Sequence, residues 1–239
     1  LLFIFLITNL YGKISSPSES FKTLLNSNGP IDATIHINNI IKNGVNSLTE
    51  EQLINLGQLG LTTNNGSIDI LNADLDLIYD TEHFRFFYTL EGYDKVESQE
   101  YVEEMASIFE EVWSFFIDTM LFDMPPTNIQ NLYEIRIENL PGDWFGAAFA
   151  IGYGNSCDSY IKMRNSYSAS QFSSNTEIDN IKVTAVHEFF HAIQFDYNCN
   201  AFEQSPWFME ATAVWSEDEL FDSINDHYRY IASWFSKPN

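Results

Sequence analysis

One stretch limits the fold of this chain more than any other: VTAVHEFFHAIQFDY, residues 183–197. Val186, Phe190, Ile193 and Tyr197 recur at helical spacing and predict one apolar stripe on a buried helix. His187 and His191 stand on an adjacent face, about 40° of rotation from each other and one turn apart. Two imidazole nitrogens so placed can converge on one ion at about 2.0–2.1 Å each. Glu188 lies about 100° round from His187, too far to be the natural third ligand but placed to hold a water beside the ion. HExxH is a short pattern, and a buried helical histidine is usually a hydrogen-bonded core residue. Two in register with a carboxylate are costly to bury without a purpose. The upstream SNTE (174–177) fits a capping box of Ser174 with Glu177, so the helix should start near Asn175.

At 239 residues the chain suits one sizeable domain or two small ones, and 20 Phe, 12 Tyr and 5 Trp give it material for a core. The net charge of −23 reflects few basic residues rather than an acidic tail. Such a surface repels phosphate backbones and anionic lipid, so no nucleic-acid partner and no stable membrane partner are expected. The opening LLFIFLITNL is too short to span a bilayer and is followed by small, polar YGKISSPSES. Residues 1–16 therefore read as the remnant of a signal peptide, placing the protein outside the cell, with a buried strand or clipped anchor as the alternative. Only Cys157 and Cys199 are present, so one bridge is expected and two buried thiols are the competing outcome.

Residues 17–75 read as a helical N-terminal region or prosegment. Within it SLTEEQL offers Ser47 or Thr49 as an N-cap. HFRFFYTL (83–90) reads as a strand, with His83 structural. Residues 98–121 read as a long amphipathic helix whose stripe is Tyr101, Met105, Phe109, Val112 and Phe116, ended by MPP (124–126). YEIRIEN (133–139), FGAAFAIGYG (145–154) and SYIKMRN (159–165) follow as strands. Helix, strands, then helices is an α+β layout.

The partner for the histidines comes from SPWFMEATAVWSEDE (205–219), a second helix with Ser205 as cap and Pro206 at its first position. Trp207, Phe208, Val214 and Trp215 offer it packing surface. Glu210 sits among Met209, Ala211 and Ala213, where a carboxylate is expensive unless it meets a cation. Two histidines and one glutamate make a catalytic zinc set with a fourth position for water. Glu217 is the rival ligand and Glu203 a weaker one.

HExxH followed eighteen residues later by a glutamate resembles the gluzincin zinc metallopeptidases. HEFFHAIQFDY with WFMEATAVWSED is similar to a family of secreted bacterial and archaeal metalloproteases of that type. HFRFFYTLEG, the MPP loop and NDHYRYIASWFSKP extend the likeness over roughly residues 75–239. The resemblance implies a zincin-like catalytic domain over 76–239, cut short at its C-terminus. Its small twisted, mostly antiparallel-edged sheet would pack on the active-site helix and the glutamate helix. It also implies Zn2+ held by His187, His191 and Glu210, Glu188 as general base, and a peptide or protein as substrate. A downstream Tyr or His would donate to the oxyanion: Tyr228 first, with His227 and Tyr230 as the others. The strand before the active helix would pair with extended substrate. Ala147, Ala148, Phe149 and Ala150 suit that, as they would equally suit a tightly packed core strand.

Two departures matter. Gln194 and Tyr197 stand where metzincins carry glycine and a third histidine, so that branch is excluded. Val214 stands where thermolysin-like enzymes carry an aspartate that orients a histidine, so Glu217, Asp218 or a backbone carbonyl must do that work. The alternative to an enzyme is a zincin-like surface or binding protein that has lost turnover.

Overall fold

The computed structural model describes residues 15–27, 29–127, 129–152 and 155–228. Most of the expected signal remnant (1–14), and Tyr230, lie outside these.

The four expected strands join a fifth, unexpected one, Leu77–Asp80, in one five-stranded sheet. Its members are β3 (Leu77–Asp80), β4 (Phe84–Tyr88), β5 (Tyr133–Glu138), β6 (Gly146–Ile151) and β7 (Asp158–Arg164), in the order β3-β4-β5-β7-β6. The outer pairs β3–β4 and β6–β7 are antiparallel, while β4–β5 and β5–β7 are parallel. The arrangement is α+β, with antiparallel edges and β6 as one edge strand.

Alternation decides which face meets which layer. Phe84, Phe86, Tyr133, Ile135, Ile137, Ile161 and Met163 point to one face and join the main core. Two helices cover that face. The first is α4 (Gln99–Trp113), capped by the Ser98 hydroxyl on the Tyr101 amide. It crosses between the parallel strands β4 and β5, and every residue of its expected stripe is buried. Its α geometry ends earlier than the expected 121: the chain widens into π turns over Ser114–Thr119 and stops at Leu121, whose φ is +60°. His83 is structural as expected, paired to Glu110 at 2.6 Å and stacked on Trp113.

The second covering helix is α5 (Glu177–Tyr197). Its cap is Thr176, whose hydroxyl accepts from the Asp179 amide, rather than Ser174. Glu177 instead accepts from the Tyr167 amide, which removes it from the expected capping box. The expected apolar stripe holds through Ile193 but fails at Tyr197, which is 55 % exposed. The last turn of α5 runs past the sheet, where the Tyr197 hydroxyl accepts from the Asp123 amide.

After α6 (Ala201–Gln204), α7 (Pro206–Phe221) packs back on α5. Pro206 is its first residue, but the Ser205 hydroxyl makes no capping hydrogen bond. The buried face carries Met209, Glu210, Ala213, Ser216, Glu217 and Phe221; of the expected packing residues, Phe208 is largely exposed and Trp207, Val214 and Trp215 are half-buried. Small residues let the two helices approach, and the glutamates are turned inward with them. Cys157, at the head of β7, and Cys199, just past α5, form a disulfide with Cα atoms 5.3 Å apart, so the free-thiol outcome is set aside.

The other face of β6 and β7 is covered by the N-terminal region. It comprises α1 (Pro17–Asn26), α2 (Thr34–Asn43), α3 (Glu50–Ile54), a 3₁₀ turn at Leu56–Leu59 and a hairpin of β1 (Leu61–Asn64) and β2 (Ser67–Ile70). Of the two expected caps for α3, Thr49 is the one used, in a capping box with Gln52. Phe21, Leu24, Ile37 and Ile40 share a second apolar cluster with Trp144, Ala147, Phe149 and Tyr160. The region is therefore built onto the sheet rather than tethered beside it. Among the described residues, no helix is long and apolar enough to cross a membrane.

Candidate metal centre

Helical geometry puts His187 and His191 on one face of α5, and α7 lies against that face. Their Nε2 atoms are 3.1 Å apart. Glu210 Oε2 is 3.5 Å from His187 Nε2, and Glu210 Oε1 is 3.7 Å from His191 Nε2. The three residues picked from the sequence as ligands are thus brought together. A fourth joins them that the sequence did not single out. Asp32, just before α2, directs Oδ2 at His187 Nε2 and lies 3.4 Å from His191 Nε2. One ligand atom from each of Asp32, His187, His191 and Glu210 lies within 4.8 Å of every other, and the four can hold a metal ion.

The outer nitrogens fix the tautomers. His187 Nδ1 meets Glu217 Oε1 at 2.6 Å, and a carboxylate only accepts, so Nδ1 carries the proton. His191 Nδ1 meets Gln194 Oε1 at 2.7 Å. Gln194 is oriented by donating from Nε2 to the Met209 carbonyl and the Thr212 hydroxyl, so its oxygen faces the imidazole. Whenever the rings are neutral, each Nε2 therefore presents a lone pair to the other and to two carboxylates. Four acceptors that converge this way are stable only with protons or a cation between them. Asp32 Oδ2 is buried with the two imidazole Nε2 atoms as its polar neighbours, while its Oδ1 accepts from the Thr34 amide. Among the described residues, no lysine or arginine pairs with Asp32, Glu188 or Glu210.

Burial and charge pull the protons in opposite directions. Burial alone lowers the His187 pKa, but Asp32, Glu210 and Glu217 outweigh it and raise it well above the usual imidazole value. His191 shifts the same way against its burial, through Asp32 and Glu210. Burial, and then the Asp32 charge, raise Glu210 and push Glu188 up to about 8. Asp32 ends well below the carboxylate range, since the histidines overcome its burial.

Glu188 is 1 % exposed, and its Oε2 accepts from the Thr34 hydroxyl at 2.7 Å. Strand β6 passes so close that a Cβ on Gly146 would fall 3.1 Å from Glu188 Cγ and 2.8 Å from Thr184 Cγ2. A glycine is required there for space. Ala147, Ala148, Phe149 and Ala150 lie on the edge strand of the sheet. Their outward main-chain groups are engaged by α2. The Ala148 amide donates to Thr34 Oγ1, Asn38 Nδ2 donates to the Ala148 carbonyl, and the Ala150 amide donates to Asn38 Oδ1.

Other candidates stand elsewhere. Glu217 orients His187 from behind rather than acting as a rival ligand. Glu203 is held by Lys42 and Asn43, at 2.8 and 2.7 Å, on the far end of α2. Tyr228 is 61 % exposed with its ring against His227, and among the described residues no hydrogen bond or ring contact joins it to the four-residue cluster. His227 is buried and faces Asp218. Asp32 had no signal of spacing to find it by. A hint lay only in the polar positions of TIHINN, where Thr34, Asn38 and Asn39 are all buried. No family model matches the chain, and neither a curated protein nor a solved structure matches it.

Proposed function

We propose that the chain is a zinc-dependent peptidase of the gluzincin type, exported from the cell, which hydrolyses peptide bonds of a peptide or protein substrate. The observation that carries this reading is the convergence of two Nδ1-protonated imidazoles and buried carboxylates on one point, with a third carboxyl, Glu188, alongside. A tetrahedral ion with bonds of about 2.0–2.1 Å has ligand–ligand edges of about 3.3–3.4 Å. The separations of 3.1, 3.4, 3.5 and 3.7 Å, the last two to the two oxygens of Glu210, lie near that value, while Asp32 Oδ2 and His187 Nε2 stand closer and would have to move apart around an ion. Two imidazoles with carboxylate oxygen at tetrahedral spacing suit zinc better than a hard, oxygen-only cation such as magnesium.

A divalent ion in this position would supply Lewis acidity, acidifying a water and polarising a carbonyl. His187, His191 and Glu210 would hold it, with Glu217 and Gln194 fixing the rings so that both lone pairs face inward. Glu188 takes a proton from the attacking water and returns it to the leaving amine. With Thr34 and Asn38 displaced from them, Ala148 and Ala150 on the edge of β6 would align an extended peptide by main-chain hydrogen bonds, and Gly146 lets that strand lie close to Glu188. The disulfide is compatible with an extracellular setting.

A second reading is a zincin-like surface or binding protein without turnover. The filled fourth vertex favours it, because closed four-ligand sets are typical of structural zinc. Metal content and peptide hydrolysis, with and without chelator, separate the two for the native chain, Glu188→Gln and Asp32→Ala. Chelator-sensitive cleavage lost in Glu188→Gln supports the peptidase. Bound zinc with no cleavage in any form supports the second reading, and chelator-insensitive cleavage refutes the first.

A further inference from the structure

We propose that residues 31–38 are a built-in latency segment that closes the catalytic centre by occupying the ion's fourth vertex, the general base and the substrate edge together. This rests on the peptidase reading and adds to it a means of control. Three sets of contacts carry it. Asp32 Oδ2 sits where water or a substrate carbonyl would approach an ion held by the other three ligands. The Thr34 hydroxyl donates to Glu188 Oε2, taking one of the acceptor sites of the general base. Thr34 and Asn38 take up the outward amides of Ala148 and Ala150 and the Ala148 carbonyl, groups an extended peptide would have to pair with.

The approach to these positions is itself strand-like. Ile31 bridges Trp144 in parallel, with its amide on the Asp143 carbonyl and its carbonyl accepting from the Phe145 amide. The chain then turns into α2, whose start is fixed by Asp32 Oδ1 on the Thr34 amide. One carboxylate thus sets the helix and faces the histidines. The segment is held from both ends. Ile37 and Ile40 bury against the far face of β6 and β7, and Lys42 and Asn43 clasp Glu203. A segment needed only to cover apolar surface would not bring a buried carboxylate oxygen against two histidines.

The test uses the full chain loaded with cobalt, in native, Asp32→Ala and isosteric Asp32→Asn forms. The readouts are cobalt content, the visible cobalt spectrum on titration with acetohydroxamate, and hydrolysis of a peptide pool. If the open form is about 1 % of the native population, hydroxamate binds the alanine variant about 100-fold more tightly than the native chain. Cobalt stays bound in both variants through the three remaining ligands. Equal hydroxamate affinity in native and variant forms overturns the latency segment. Loss of cobalt from both variants also overturns it, because Asp32 would then be a permanent ligand. Tighter hydroxamate binding without peptide cleavage keeps the latency contact and refutes the peptidase reading instead. Should neither Asp32 variant fold, Asn38→Ala, which frees the edge at Ala148 and Ala150, is titrated in the same way. It is expected to show a partial gain, and no gain there overturns the proposal.

Discussion

Glu217 offers the sharpest test of how the histidines are held. Its carboxylate meets His187 Nδ1 at 2.6 Å and is 8 % exposed, so water screens the contact little. Holding the proton on Nδ1 keeps the Nε2 lone pair available, and the negative charge makes that nitrogen a better donor to a metal. Removing such an outer partner typically weakens metal affinity by about 10–100-fold. That range converts to about 1.4–2.7 kcal/mol. Glu217→Ala loses both charge and orientation and should fall at the upper end. Glu217→Gln can still accept from Nδ1 through its amide oxygen, so it should lie near the lower end. Competition against a chromogenic zinc chelator measures the affinities, and nitrogen NMR of the imidazoles reads the tautomer directly. In the alanine variant, His187 should lose its single Nδ1-protonated form while His191, held by Gln194, keeps it. Zinc affinity within about threefold of native in Glu217→Ala, well below the expected range, would refute the reasoning.

Gly146→Ala should cost about 1–3 kcal/mol, because its Cβ meets Thr184 and Glu188 at 2.8 and 3.1 Å. Hydrolysis should fall while zinc affinity stays close to native, so denaturation, metal titration and turnover together check it; a variant with native turnover contradicts the close approach. Phe189→Ala should destabilise by about 3–5 kcal/mol, since Phe189 is fully buried with Phe84, Tyr133 and Trp113 rings at 5.4, 5.6 and 5.8 Å. A urea denaturation midpoint close to native would contradict it. Metal binding should release protons, because the carboxylates hold His187 and His191 protonated above the usual imidazole range despite their burial. Affinity therefore rises with pH until the raised histidine values are passed and weakens as pH falls. Calorimetry in buffers of different ionisation enthalpy counts the protons, and a count near zero contradicts the charge balance.

What could be read from the sequence was local. The four-residue spacing of His187 and His191 settles their common face by helix geometry alone, and Glu210 betrays itself as an acid in an apolar helix. The small residues of β6 announced a strand that other groups approach closely. Side-chain competition a residue or two either way was beyond that reading. Thr176 took the cap in place of Ser174, because Glu177 found the Tyr167 amide instead. Glu217 and Glu210 lie two helical turns apart and look alike on α7; only the placement of α5 puts one among the candidate ligands and the other behind His187. Gln194 looked like the absence of a metzincin glycine, yet it orients His191. Asp32 was out of reach altogether. Thr34 and Glu188, which touch beside it, are 154 positions apart, and no short pattern encodes a contact of that range.

One experiment bears on all of this at once: anomalous diffraction at the zinc edge from crystals of the full chain grown with zinc. A single strong peak is expected at about 2.0–2.2 Å from Nε2 of His187, Nε2 of His191 and a carboxylate oxygen of Glu210, with Asp32 on the remaining vertex. A well-ordered zinc bound elsewhere, with those three side chains gathered but no peak among them, would contradict the account.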